Sequence, residues 1–214
     1  MRVVEIFKSI EGEGKRAGLP ATFIRLYGCN LNCSYCDTRY GCDGGDYEIL
    51  TISEILDRVE GLNCKNVTIT GGEPLLHGDI KELISALLKR DFWINIETNG
   101  SLEIGHLSCD PNCFVTMDYK CPSSGVESSM SLENIDLLDS RDVLKFVVGT
   151  QEDLDSAYEI IKKFNPEAQI YFSPVFGKMN PEKIVDFVIS KGLNNCKVQL
   201  QLHKIIWDPN KRGV

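Results

Sequence analysis

No stretch of this 214-residue chain approaches the length of apolar sequence needed to cross a bilayer. Its opening residues, Met1 to Phe7, carry charge where a secretion signal would be apolar, so a cytoplasmic protein is expected. Basic runs are absent too. Asp and Glu outnumber Lys and Arg by 31 to 23, for a formal charge of −8, which argues against nucleic-acid binding because phosphate contacts need a basic surface. With no low-complexity tract, linker or internal repeat, a single domain over residues 1–214 is expected, large enough to bury a sizeable core. Cysteine, by contrast, is abundant. Nine thiols in a chain with no export signal point to metal or redox chemistry rather than a disulfide framework.

Three of those thiols stand together in Cys29-Asn30-Leu31-Asn32-Cys33-Ser34-Tyr35-Cys36, directly after the hydrophobic segment 21–27. The C-x3-C-x2-C spacing suits a cuboidal four-iron cluster. Three thiolates hold three irons and leave the fourth open to a ligand, whereas a four-thiolate site only passes electrons. Zinc is the competing occupant. It ordinarily takes two separated ligand pairs, and neither Cys42 nor His77 forms a second pair here. Cys109, Cys113 and Cys121 are a weaker auxiliary-metal candidate, since free cysteines are often plain buried hydrophobes.

Short segments rich in β-branched and aromatic residues predict strands at 21–27, 66–70, 92–97, 114–118, 143–148, 169–173 and 197–201. Between several of them, apolar residues recur at helical spacing: Ile52, Ile55, Leu56 and Val59, then Ile80, Leu83, Ile84, Leu87 and Leu88. Residues 151–164 and 181–191 read the same way, the latter opening on Asn180-Pro181. Strand–helix alternation implies an α/β fold with a parallel sheet. A closed eight-fold barrel takes about 250 residues. An incomplete, open β/α barrel of about six or seven strands is therefore expected, with weak or missing crossover helices at 102–111 and 121–134.

The distinctive polar motifs sit just past the predicted strand ends. Gly28-Cys29, Gly71-Gly72-Glu73-Pro74, Thr98-Asn99-Gly100 and Tyr119-Lys120 follow successive strands, and His203 lies near the end of the last. In parallel barrels that rim carries the active site. Two residues without a Cβ let backbone carbonyls approach a ligand, and Glu73 can receive an ammonium group. The plainer reading of the same four residues is a strand-to-helix turn.

The cysteine loop and Gly71-Gly72-Glu73-Pro74 together resemble the radical S-adenosylmethionine superfamily. That resemblance implies a [4Fe-4S] cluster on Cys29, Cys33 and Cys36, with S-adenosylmethionine chelating the open iron. One electron then splits it into methionine and a 5′-deoxyadenosyl radical. It implies Tyr35 against the adenine, Gly71, Gly72 and Glu73 for the methionine amino group, Glu97 and Asn99 for the ribose, and Lys120 for a carboxylate. A short glycyl-radical activase carries the same cluster spacing and is the alternative within the superfamily.

Further segments narrow the resemblance. Phe7 to Gly14, Gly18 to Arg25, Cys36-Asp37-Thr38, Glu97 to Gly100 and Gln201-Leu202-His203-Lys204 together are similar, over the whole chain, to the 7-carboxy-7-deazaguanine synthase family. This implies conversion of 6-carboxy-5,6,7,8-tetrahydropterin to 7-carboxy-7-deazaguanine with loss of ammonia, in queuosine and related deazapurine biosynthesis. It further implies a homodimer and Mg2+ held in part by Thr38. An electron donor such as flavodoxin or ferredoxin is expected to serve it. On chemical grounds Glu13, with the Glu11–Gly12 backbone, suits the donor-rich edge of a pterin. Arg25 offers a planar charged fork for the substrate carboxylate, and His203 a hydrogen bond or a proton transfer. Tyr35 departs from the tryptophan of many relatives but keeps an aromatic face, and the terminal Val214 is left without a role.

Overall fold

The computed structural model describes residues 1–105, 107 and 110–214. Cys109, among the auxiliary-metal candidates, lies outside the described residues. The chain runs β1 (Arg2–Ile10), β2 (Pro20–Leu26), β3 (Glu48–Ile49), α1 (Ile52–Gly61), β4 (Asn66–Gly71), α2 (Ile80–Leu88), β5 (Trp93–Thr98) and β6 (Cys113–Lys120). Then follow α3 (Glu133–Leu137), β7 (Val143–Val148), α4 (Gln151–Phe164), β8 (Gln169–Pro174), α5 (Pro181–Ser190), β9 (Cys196–Val198) and α6 (Leu202–Ile206).

One nine-stranded sheet results, in the order β3-β1-β2-β4-β5-β6-β7-β8-β9. From β2 to β9 every pairing is parallel, so seven strands form the partial, TIM-like barrel expected from the alternation of elements. Its interior strands are nearly continuous runs of buried residues, such as Val67 to Thr70 and Val143 to Phe146. Such runs are what a sheet covered on its outside by helices requires. Ile55, Leu56 and Val59 of α1, Leu83 and Leu87 of α2, and Leu154 and Ala157 of α4 supply the covering faces.

Two strands escaped the sequence reading. β1 pairs antiparallel with β2 and with the two-residue β3, at the edge of the sheet. Most of its side chains are half-buried rather than alternating cleanly, so it shows no period-two signal. The last strand is also shorter than expected: β9 stops at Val198, and residues 199–201 leave the sheet. The two weak crossovers follow expectation. No helix occurs among the described residues of 102–111, and 121–134 forms two 3-10 turns and the start of α3.

Helix ends are set by local chemistry. Thr51 with Glu54 and Thr150 with Asp153 form capping boxes for α1 and α4, and Asn180 with Pro181 opens α5. Asp153 does more than cap. It is fully buried, and its carboxylate accepts from the Ser123 N–H (2.8 Å) and hydroxyl (2.5 Å), from Gly149 N–H (2.7 Å) and from Thr150 N–H (3.0 Å). It thereby ties the turn after β6 to the loop after β7. Asp153→Ala strands those four donors and is expected to lower stability by about 3 kcal/mol, a fall in Tm of about 6–12 °C for a chain of this size. Thermal unfolding of the variant beside Asp153→Asn, which keeps part of the acceptor set, checks this.

Candidate active site

Past the C-terminal ends of the parallel strands opens a cavity of about 770 Å³. Cys29, Cys33 and Cys36 line it, as do Tyr35, Thr38, Gly71, Gly72, Glu97, Asn99 and Lys120. Glu11, Gly12, Glu13, Arg25 and His203 line it as well. Every sequence-predicted site residue except Glu73 is on its wall.

The cysteine loop hangs from the junction of β2 and β4. Gly72 N–H donates to Leu26 O (3.1 Å) and Glu73 N–H to Gly28 O (2.8 Å). A Cβ on Gly71 would meet Leu26 O at 2.1 Å, and one on Gly72 would meet Gly28 O at 2.1 Å. The glycine pair is therefore demanded by backbone packed on backbone at the root of the loop, whatever a ligand needs.

Glu73 is fully buried and faces away from the cavity. It accepts from Leu75 N–H (2.9 Å), Thr98 hydroxyl (2.9 Å) and Asn99 N–H (2.7 Å). Burial lifts its pKa to about 7 against those three donors. These contacts brace the turn that carries Asn99. The Asn99 side chain reaches Asn30 (3.1 Å) and the Cys29 sulfur (3.7 Å).

The loop carries a fourth thiol that the spacing argument set aside. Cys42 Sγ lies 4.0 Å from Cys36 Sγ. Its hydrogen bonds pull the Cys29 and Cys36 thiols down to about 6, toward the thiolate form that binds iron. Among the described residues no three ligating side chains gather into a set for one metal ion. Cys29, Cys33 and Cys36 all line the cavity.

Arg25 of β2 faces Glu5 of β1, whose carboxylate takes its Nε at 2.7 Å and the Tyr40 hydroxyl at 3.1 Å. His203 of α6 packs so tightly on Gly12 that a Cβ there would meet its Nδ1 at 2.0 Å. Leu202 N–H donates to Gly12 O (3.0 Å) and Gly18 N–H to Glu11 O (2.8 Å), leaving each carbonyl one lone pair. The Glu11 side chain is committed to Arg16 (3.0 Å) and to the Thr68 hydroxyl. Thr38 is turned to Asp37 (3.3 Å), which pairs with Lys204 (2.6 Å). Tyr35 reaches Val147 O with its hydroxyl at 3.5 Å.

Between the walls runs a chain of buried charge. Lys120 pairs with Asp118 (3.1 Å), Asp118 with Lys145 (2.8 Å), and Lys145 with Glu13 (3.4 Å). Glu13 also accepts from Ser173 (2.5 Å), Gln199 (3.5 Å) and Gln201 (3.4 Å). Glu97 faces the same space, and burial pushes it up to about 7, opposed by Lys145. Lys145, Asp118, Ser173 and the two glutamines were missed in the sequence. The signal was available for two of them, because a charge inside a strand buried on both faces, as in VLKFVV and FVTMDYK, is rare without a purpose.

Residues 23–107 match the radical SAM superfamily. The chain is 47% identical over 218 residues to a 7-carboxy-7-deazaguanine synthase of Clostridium acetobutylicum, covering all of this chain and 99% of that one. It is 42% identical to the synthase of Methanospirillum hungatei, over 98% of this chain and 86% of the relative. Among solved structures, QueE from Escherichia coli superposes with a TM-score of 0.77 at 25% identity, over 94% of this chain and 93% of that one. With full-length identity at this level and a radical SAM match across the cysteine loop, the chain belongs to the 7-carboxy-7-deazaguanine synthase family of radical SAM enzymes.

Proposed function

We propose that this chain converts 6-carboxy-5,6,7,8-tetrahydropterin to 7-carboxy-7-deazaguanine and ammonia, serving queuosine or related deazapurine synthesis. The two compounds differ by one molecule of ammonia, so the conversion is redox-neutral. The observation that carries this reading is the placing of Arg25, Glu13 and His203 on one cavity with the cysteine loop. Those three groups answer the three features of a carboxypterin: an anionic carboxylate, an N–H-rich ring edge, and positions that must exchange protons.

When bound, a reduced [4Fe-4S] cluster on Cys29, Cys33 and Cys36 and its S-adenosylmethionine supply a carbon radical able to take hydrogen from the substrate. Gly71 and Gly72 offer backbone carbonyls to the amino group, while Glu73 works from behind by holding Asn99. Glu97 and Asn99 take the ribose hydroxyls, Lys120 a carboxylate, and Tyr35 flanks the adenine. Arg25 is pre-oriented through Nε by Glu5, and its outer nitrogens fork onto the substrate carboxylate. Glu13 receives the ring N–H groups, helped by the Glu11 and Gly12 carbonyls. His203, whose pKa burial lowers, stays neutral near pH 7 and can accept as well as donate. Thr38 offers one hard oxygen to Mg2+, which keeps most of its waters and substrate oxygens. A homodimer fed by a flavodoxin- or ferredoxin-type donor completes the reading.

The decisive measurement is anaerobic turnover with reductant, S-adenosylmethionine, Mg2+ and the carboxypterin. Ammonia and a deazapurine should appear in equal amounts, and 5′-deoxyadenosine without either would overturn the assignment. Cys33→Ala should lose the brown cluster absorbance and all 5′-deoxyadenosine. Arg25→Ala should keep the absorbance and raise KM for the carboxypterin by roughly ten- to a hundredfold, as loss of a charge-assisted pair does.

A further inference from the structure

Of the two ammonium groups in the charge chain, Lys145 is the one that neither the motifs nor the cofactor reading uses. It sits in the middle of β7, a strand otherwise filled by Val143, Leu144, Phe146 and Val148, and is only 5% exposed. An ammonium in such a place persists only when it is paired. Its partners are unequal in need. Asp118 holds two ammonium groups, Lys145 on one carboxylate oxygen at 2.8 Å and Lys120 on the other at 3.1 Å, so it keeps a partner if Lys145 is lost. For Glu13, Lys145 at 3.4 Å is the ion-pair partner found among the described residues.

Glu13 needs such a partner. It arrives on the loop between β1 and β2 and shares its space with the acidic groups of Glu11, Glu97 and Asp118. A carboxylate set among other acidic groups in a cavity is stabilised by a cation beside it. Ser173, Gln199 and Gln201 fix the direction of the carboxylate but supply no charge. The ammonium itself is secure: burial works against it, yet Asp118, Glu13 and Glu97 together hold its pKa well above that of an ordinary lysine.

We propose that Lys145 is a positioning residue for substrate selection, its buried ammonium pairing with the Glu13 carboxylate and aiming it at the N–H edge of the pterin. This rests on the reading of Glu13 given above. Because the same nitrogen pairs with Asp118, which holds Lys120, the substrate wall and the cofactor wall lean on one ammonium group.

The test compares wild type, Lys145→Met, Lys145→Arg, Glu13→Gln and the double variant Glu13→Gln with Lys145→Met, each as cluster-loaded enzyme, by ammonia release against carboxypterin concentration. Lys145→Met should raise KM about tenfold or more with kcat within about threefold, and Lys145→Arg should recover most of the loss. In the Glu13→Gln background, Lys145→Met should change KM by less than about twofold, since the group it serves is gone. Equal losses in both backgrounds, or a loss confined to kcat, would overturn the proposal while leaving Glu13 in its role. An unchanged KM in Glu13→Gln alone would remove the role of Glu13 and this proposal with it. Should Lys145→Met yield no folded, cluster-loaded protein, Lys145→Gln makes the same comparison with a polar side chain of similar reach.

Discussion

Everything at the rim depends on how closely the ends of β2 and β4 approach. Their backbones touch through Gly72 N–H to Leu26 O and Glu73 N–H to Gly28 O, at a separation that no Cβ at 71 or 72 permits. That contact fixes where the cysteine loop leaves the sheet. It also turns Glu73 inward, onto the turn that carries Asn99. Asn99 in turn reaches back to Asn30 and the Cys29 sulfur. One steric constraint thus locates three of the strand-end motifs relative to each other, and the glycines matter first as spacers.

The second constraint is electrostatic. A cavity meant for ligands carrying both charged and donor-rich groups must hold charge of both signs away from water, which is unfavourable unless each charge is paired. Here the pairing is serial, from Lys120 through Asp118 and Lys145 to Glu13, drawing on β6, β7 and the β1–β2 loop. Rigid strands carry three of the four members, and only Glu13 arrives on a loop. That loop is tied at both sides, by Gly18 and Leu202 donating to the Glu11 and Gly12 carbonyls. The closeness of His203 to Gly12 follows from the same docking of the C-terminal segment, so two proposed substrate groups are set by one contact.

Much of this was legible in the sequence because its signals were local. The seven parallel strands are short β-branched runs bounded by turn formers, and the cysteine spacing and the glycine pair each lie within a few residues of one strand end. What was not legible depended on distant partners. β1 has no clean alternation because it lies at an edge, half-covered on both faces. The inward turn of Glu73 could not be read from Gly-Gly-Glu-Pro, since it depends on Thr98 and Asn99 of the next strand. Gln199 and Gln201 looked like strand residues, yet they serve Glu13 from a chain that has already left the sheet.

Two carboxyls of this site are pushed to about 7 by burial, and the contrast between them shows how the cavity divides its work. Glu73 is answered by three donors of the protein itself. Glu97 lines the cavity, and among the described residues no hydrogen bond or ion pair engages its carboxyl. An acidic group left in that state is resolved either by a proton or by an incoming donor. A ligand hydroxyl arriving beside Glu97 would supply the missing donor, and the carboxyl would be drawn toward its ionised form as the contact closed. Glu97 thus meets the cavity with its carboxyl open, whereas Glu73 is held by the wall behind it.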